Sequence, residues 1–306
     1  MPGGGASTDR DPADGQPRWT GPVAAAWVLG ALLRELRERR GLTLAQAAPL
    51  CRASTSKLSS LERGRRRPLP QDVSDLLSAY KADEATRADA VIWMTMVRAG
   101  PDADAHLDVE PGWQRRLTLF TAAATRAEHW AGVVLPPPLQ TGRYARALAD
   151  ALLLPEPQRS GYVRQRARRA GLMAQEPGGT TVLLDESVLH RPVGAAEVMV
   201  EQLMHLRHFA ARGVDVRIVP AAGALTVPPT AITRLVFGPP GPDDVVCLES
   251  GTSAFYLTST ADTVPHQEAL RRLARHAVGH DAGVRLVDEA IRLHQERLPD
   301  GPGDSR

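Results

Sequence analysis

The segment ASTSKLSSLERGRRRP, Ala53 to Pro68, sets short hydroxyl side chains ahead of a cluster of guanidiniums. Thr55, Ser56, Lys57, Ser59 and Ser60 are small or polar enough to approach base edges, and Arg63, Arg65, Arg66 and Arg67 can bind phosphate oxygens. Leu58 and Leu61 stand three apart, so a helix through them has an apolar back and a hydroxyl-bearing front. This is chemistry for holding a nucleic acid. Arginine–phosphate contacts would fix the position, and the few groove-facing side chains would specify sequence.

The positive charge is local. The chain of 306 residues carries a net +2, yet Trp27 to Lys81 holds 11 Lys/Arg against five acids, a net +6. A basic segment beside a mildly acidic remainder reads as a polyanion-binding module. A solvated basic face would account for the charge alone. A helical bundle made for protein contact would account for the helices alone. The coincidence of charge and pattern favours nucleic acid.

The elements that must position these residues are short helices. Leu29, Leu32, Leu33 and Leu36 form one stripe of a helix over about 28–40, which Gly41 stops. Thr43 suits an N-cap for a second helix with Leu44, Ala47, Ala48 and Leu50 inward, and Pro49 limits it to about two turns. Ser54 suits the N-cap of a third helix ended by Gly64, and Asp72–Tyr80 reads as a fourth, burying Val73, Leu76, Leu77 and Tyr80. Two short helices joined by a tight turn, with the small Ala47 at their approach, is the helix-turn-helix pattern.

The stretch LRELRERRGLTLAQAAPLCRASTSKLSSLERGRRRP resembles the XRE-type helix-turn-helix of phage repressors and Cro-like proteins. The resemblance implies an all-α bundle of four or five helices over 27–81, and a homodimer on double-stranded DNA. It also implies an interhelix ion pair, Arg37 with Glu62, and base contacts at Thr55, Ser56 and Ser60 with Ser59 nearby. One position departs from the family: Leu44 stands where a backbone-contacting Gln is common. Most of the base-facing side chains are serines, which discriminate weakly, so dimer spacing and DNA shape must supply specificity.

Residues 82–112 read as a helical connector and linker, the linker being RAGPDADAHLDVEPG at 98–112. Beyond it, 113–297 reads as an α/β or α+β domain. Helices are expected at 113–128, 141–153, 155–173, 194–213, 262–278 and 281–297. Strands are expected at 180–184, 214–220, 231–238, 244–250 and 254–259, and GPPGPDD at 238–244 as a hairpin-type turn. The segments PPPLQTGRYARAL, LLDESVLHRPVGAAEVMVEQLMHL, VDVRIVPAAGAL and VVCLES resemble the domain that follows the XRE head in actinobacterial Scr-type antitoxin-like regulators. That resemblance implies a domain that senses a signal or binds a partner and catalyses no reaction. It departs at Pro136-Pro137-Pro138, where the family has Pro-Gly-Leu, and at Thr121, where the family has Glu. Gln140, Tyr144 and Glu249, in these segments, are the candidates for ligand or partner contact, against a local role in capping and packing.

Other constellations have bland readings. Glu201, His205 and His208 share helical spacing but lack a second ligand-rich segment, so no metal site is expected. Asp185 and Glu186 read as a helix cap before an acid/base pair. The basic run VRQRARRAG at 163–171 reads as a solvated helix face. With no nucleophile elbow, phosphate-cradling loop or Cys–His pattern, the chain reads as a non-enzyme without cofactor. Cys51 and Cys247 read as reduced core thiols of a cytoplasmic protein. No stretch approaches the roughly 18 apolar residues a membrane helix needs. Residues 1–26 and 298–306 read as disordered tails. Two functions follow: a DNA-binding transcriptional regulator whose C-terminal domain takes a signal, and an antitoxin-like protein that neutralises a small partner and binds DNA for autoregulation.

Overall fold

The computed structural model describes residues 23–98, 105–108, 112–175, 177–222, 227–238, 244–250 and 253–298. The expected tail 1–26 is corrected at its end, where residues 23–26 are helical and Ala24, Ala25 and Ala26 are buried; residues 1–22 and 299–306, linker residues 99–104 and 109–111, and turn residues 239–243 lie outside the described residues. The chain divides into two compact units between residues 104 and 105.

The first unit is all helical. Helix α1 (Val23–Arg39) buries Leu29, Leu32, Leu33 and Leu36 along one stripe. Helix α2 (Leu44–Ala47) starts with a reciprocal capping box. Gln46 N donates to Thr43 Oγ1, and Thr43 N donates to Gln46 Oε1 at 2.9 Å. The chain then tightens into a 3₁₀ turn, Ala48–Cys51. Three residues per turn instead of 3.6 rotate the end of the segment, so Cys51 enters the core and Leu50, expected inward, is exposed. Ser54 caps helix α3 (Thr55–Glu62) by accepting from Lys57 N at 3.1 Å. Helix α4 (Pro70–Ala79) opens on a proline that needs no N–H partner in the first turn. Helix α5 (Glu84–Arg98) packs against α1, so this part of the expected connector belongs to the bundle.

The second unit is built on a seven-stranded sheet in the order β1-β7-β6-β5-β2-β3-β4. Its strands are β1 (Ala105–Asp108), β2 (Arg126–Ala131), β3 (Thr180–Asp185), β4 (Asp215–Val219), β5 (Ile232–Val236), β6 (Val245–Glu249) and β7 (Ala254–Leu257). Strands β2, β3 and β4 run parallel, and the remaining neighbours pair antiparallel. Two strands correct the sequence reading. The segment expected as a linker contains β1, paired with β7. The expected helix 113–128 ends early as α6 (Trp113–Ala123), and β2 follows inside the sheet, between β5 and β3.

Helices cover both faces, as the period-2 alternation of β3 dictates. Val182 and Leu184 pack with residues of α7 (Gly142–Ala151), α9 (Ser187–His190), α10 (Ala196–Ala211) and α12 (His280–Gln295). Leu183, between them, faces Trp130 and Leu270 and Leu273 of α11 (Thr260–His276). Each such fully buried leucine is worth about 1.5–3 kcal/mol. Helix α8 (Gln158–Gln175) lies against α6 and α7.

Candidate nucleic-acid interface

Helix α3 has the two-sided character its sequence implies. Leu58 and Leu61 are buried, while Thr55 and Ser56 in the first turn are exposed. Ser59 and Ser60 are half-buried, one turn further along. Past the helix, Arg63, Arg65 and Arg67 are exposed and Arg66 is half-buried. Arg63 folds back on the helix end: its Nε donates to the Ser59 carbonyl at 3.1 Å and its Nη2 to Ser59 Oγ. Lys57 is committed differently, its Nζ lying 2.7 Å from Asp72 Oδ2 on α4. The hydroxyl front and the arginines at 65 and 67 therefore stay accessible, whereas Lys57 must exchange a protein partner to reach a phosphate.

Two devices hold α3 against α1. The first is a buried ion pair. Arg37 donates from Nε to Glu62 Oε1 at 2.7 Å and from Nη2 to Glu62 Oε2 at 2.9 Å, while Nη1 donates to the Leu42 carbonyl at 2.7 Å. The hydrogen-bonded Glu62 raises the Arg37 pKa, so the guanidinium stays charged. The second is close backbone approach. A Cβ on Gly30 would stand 2.6 Å from the Leu61 carbonyl oxygen, and one on Gly64 2.6 Å from the Trp27 Cα. Gly64 also has φ +64°, a conformation side chains rarely adopt.

The sequence reading missed Arg52. It occupies the turn before α3, is exposed, and has φ 54°, in the left-handed region. Its place two residues before the Ser54 cap puts a cation near the helix N-terminus, where backbone N–H groups already favour anions. The signal in the sequence was a charged residue at the turn position where Gly or Asn would be the easier choice.

The candidates in the second unit come together, but inside it. Tyr144 is fully buried and its hydroxyl accepts from Leu135 N at 3.2 Å. Gln140 is buried as well: its Nε2 donates to the Leu135 carbonyl at 2.7 Å and its Oε1 accepts from Arg166 Nε at 2.9 Å. Glu249 accepts from Arg166 Nη2 at 3.4 Å and from Arg169 Nη1 at 2.6 Å. Gln140 and Glu249 thus meet at Arg166, and Tyr144 and Gln140 share Leu135. This corrects the reading of 163–171 as a solvated face. Arg164 and Arg168 are exposed, but Arg166 and Arg169 are buried. Burial lowers the Arg166 pKa, against the opposing pull of Glu249. Its guanidinium carbon lies 3.1 Å from the Tyr162 ring centroid.

The remaining constellations are locally engaged. Glu201 pairs with Arg143 at 3.1 Å, and the His205 ring packs edge-on to Phe209. Asp185 Oδ1 accepts from Ser187 N, and Glu186 Oε2 from Ala221 N, each at 2.9 Å. Both cysteines are free and buried. No helix among the described residues is long and apolar enough to cross a membrane.

Two family models match the chain. One described as a helix-turn-helix domain matches residues 28–90. One described as a domain of unknown function, DUF5753, matches residues 114–289. No match is found among curated proteins or among solved structures.

Proposed function

The chain belongs to the family defined by the domain of unknown function DUF5753, and from the helix-turn-helix domain ahead of it we propose a sequence-specific transcriptional regulator. Helix α3 lies in the major groove with Thr55, Ser56 and Ser60 toward base edges. Arg52, Arg65 and Arg67 rest on the flanking phosphates. The single observation that carries this reading is the exposure of Thr55 and Ser56 on a helix whose leucines are buried, with exposed arginines at its exit. The XRE-type resemblance of the head supports a homodimer on a two-fold site, with half-sites about 10 bp apart. The Scr-type resemblance of the second unit supports a receiver of a signal, acting in the cytoplasm.

Selection of bound sequences from a random duplex pool by the full chain tests the reading. It should return one inverted-repeat motif, and Thr55→Ala with Ser56→Ala should alter the preferred bases while leaving the half-site spacing unchanged. A pool that emerges without enrichment would reject sequence-specific recognition.

A further inference from the structure

Arg166 and Arg169 carry two positive charges into the second unit beside one carboxylate, Glu249. Arg166 is fully engaged by Gln140, the Tyr162 carbonyl and Glu249. Arg169 is not. Its Nη1 donates to Glu249, but Nε and Nη2 are buried with no hydrogen-bond partner among the described residues. These two N–H groups share one edge of the planar guanidinium, turned away from Nη1. On Arg37 the same edge meets both oxygens of a carboxylate, that of Glu62.

Arg169 also lines a cavity of about 140 Å³. Its walls come from Thr121 on α6, Arg126 and His129 on β2, Arg169 and Met173 on α8, and Thr180 on β3. None of the described residues lining it is acidic, and the exposed Arg126 adds a second guanidinium. His129 is held neutral by burial, its pKa pushed down to about 3, so it adds no charge of its own. A buried charged donor left unpaired is costly, and here one net positive charge and one two-pronged donor edge await a partner.

We propose that this cavity binds a small organic carboxylate, drawn by the uncompensated guanidinium of Arg169, whose buried Nε–H and Nη2–H edge turns toward the cavity to take the two oxygens. A planar carboxylate matches the planar fork of Arg169 and offsets its uncompensated charge. Met173, Leu172 and Pro138 supply apolar wall for the organic part. The site lies wholly in the second unit and does not rest on DNA binding, so its success or failure is read separately.

Calorimetry on the full chain with acetate, benzoate, the neutral isostere benzamide and inorganic phosphate tests it. Benzoate and acetate should bind saturably, with benzamide weaker by roughly tenfold or more, the loss expected for a charge-assisted pair. Arg169→Gln should weaken benzoate by a similar factor. Because that change also strips Glu249 of a partner, Thr121→Glu provides the second variant. It leaves the Arg169–Glu249 pair in place, sets a carboxylate on the cavity wall, and should block benzoate. Binding of benzamide as tight as benzoate, of phosphate alone, or of neither carboxylate would overturn the proposal. So would unchanged benzoate binding in Thr121→Glu.

Discussion

The Nε and Nη2 of Arg37 meet the two carboxylate oxygens of Glu62 side-on, at 2.7 and 2.9 Å, across the contact between α1 and α3. Both side chains are buried. Glu62→Gln should therefore destabilise the helical unit, by at most about 3–5 kcal/mol, because it leaves the buried guanidinium with Glu38, at 3.4 Å, as its carboxylate partner. Replacing both partners by apolar residues, Arg37→Met with Glu62→Leu, should restore most of that loss. Urea unfolding of the three variants measures the difference.

Arg52 separates stability from binding. A non-glycine residue at φ 54° carries a steric cost of about 1–2 kcal/mol, partly offset because glycine loosens the unfolded chain. Arg52→Gly should leave stability unchanged or raise it by up to about 1 kcal/mol. DNA affinity should nevertheless fall, since a phosphate contact is lost. Thermal unfolding and a gel-shift titration on the same preparation check both halves.

His129 should tie the stability of the second unit to pH. Its ring is buried with Nδ1 3.0 Å from Thr233 Oγ1, and burial first, then Arg169, pushes its pKa down to about 3. The unfolded chain would take up a proton below about pH 6.5, whereas the folded chain stays neutral until about pH 3. The folded pKa is depressed, so the contribution is present above pH 6.5 and is lost as pH falls through that window. The slope from this group is at most about 1.4 kcal/mol per pH unit. His129→Gln should flatten the stability profile between pH 6 and 4 by about that amount, read by urea unfolding at each pH.

Local chemistry was readable where it was local. Thr43 and Ser54 announced the starts of α2 and α3 because a hydroxyl cap acts within three residues. The leucine stripe of α1 announced its buried face in the same way. Leu50 was misjudged because a 3₁₀ turn leaves no mark in apolar spacing. Strand β2, RAEHWA, lacks β-branched residues, and its partners on β3 and β5 decide its conformation. The burial of Arg166 and Arg169 was unreadable from their own helix, because the partner that draws them in, Glu249, lies 83 and 80 positions along the chain.

The central claim is that the exit of α3 rests on a duplex backbone. Its most direct measure is the salt dependence of DNA affinity for the full chain and for Arg65→Ala with Arg67→Ala. Each lost phosphate contact should make the plot of log affinity against log salt shallower by about 0.9. The double variant should then be shallower by nearly twice that and weaker on every sequence alike. A double variant with the affinity and slope of the unaltered chain would contradict the account.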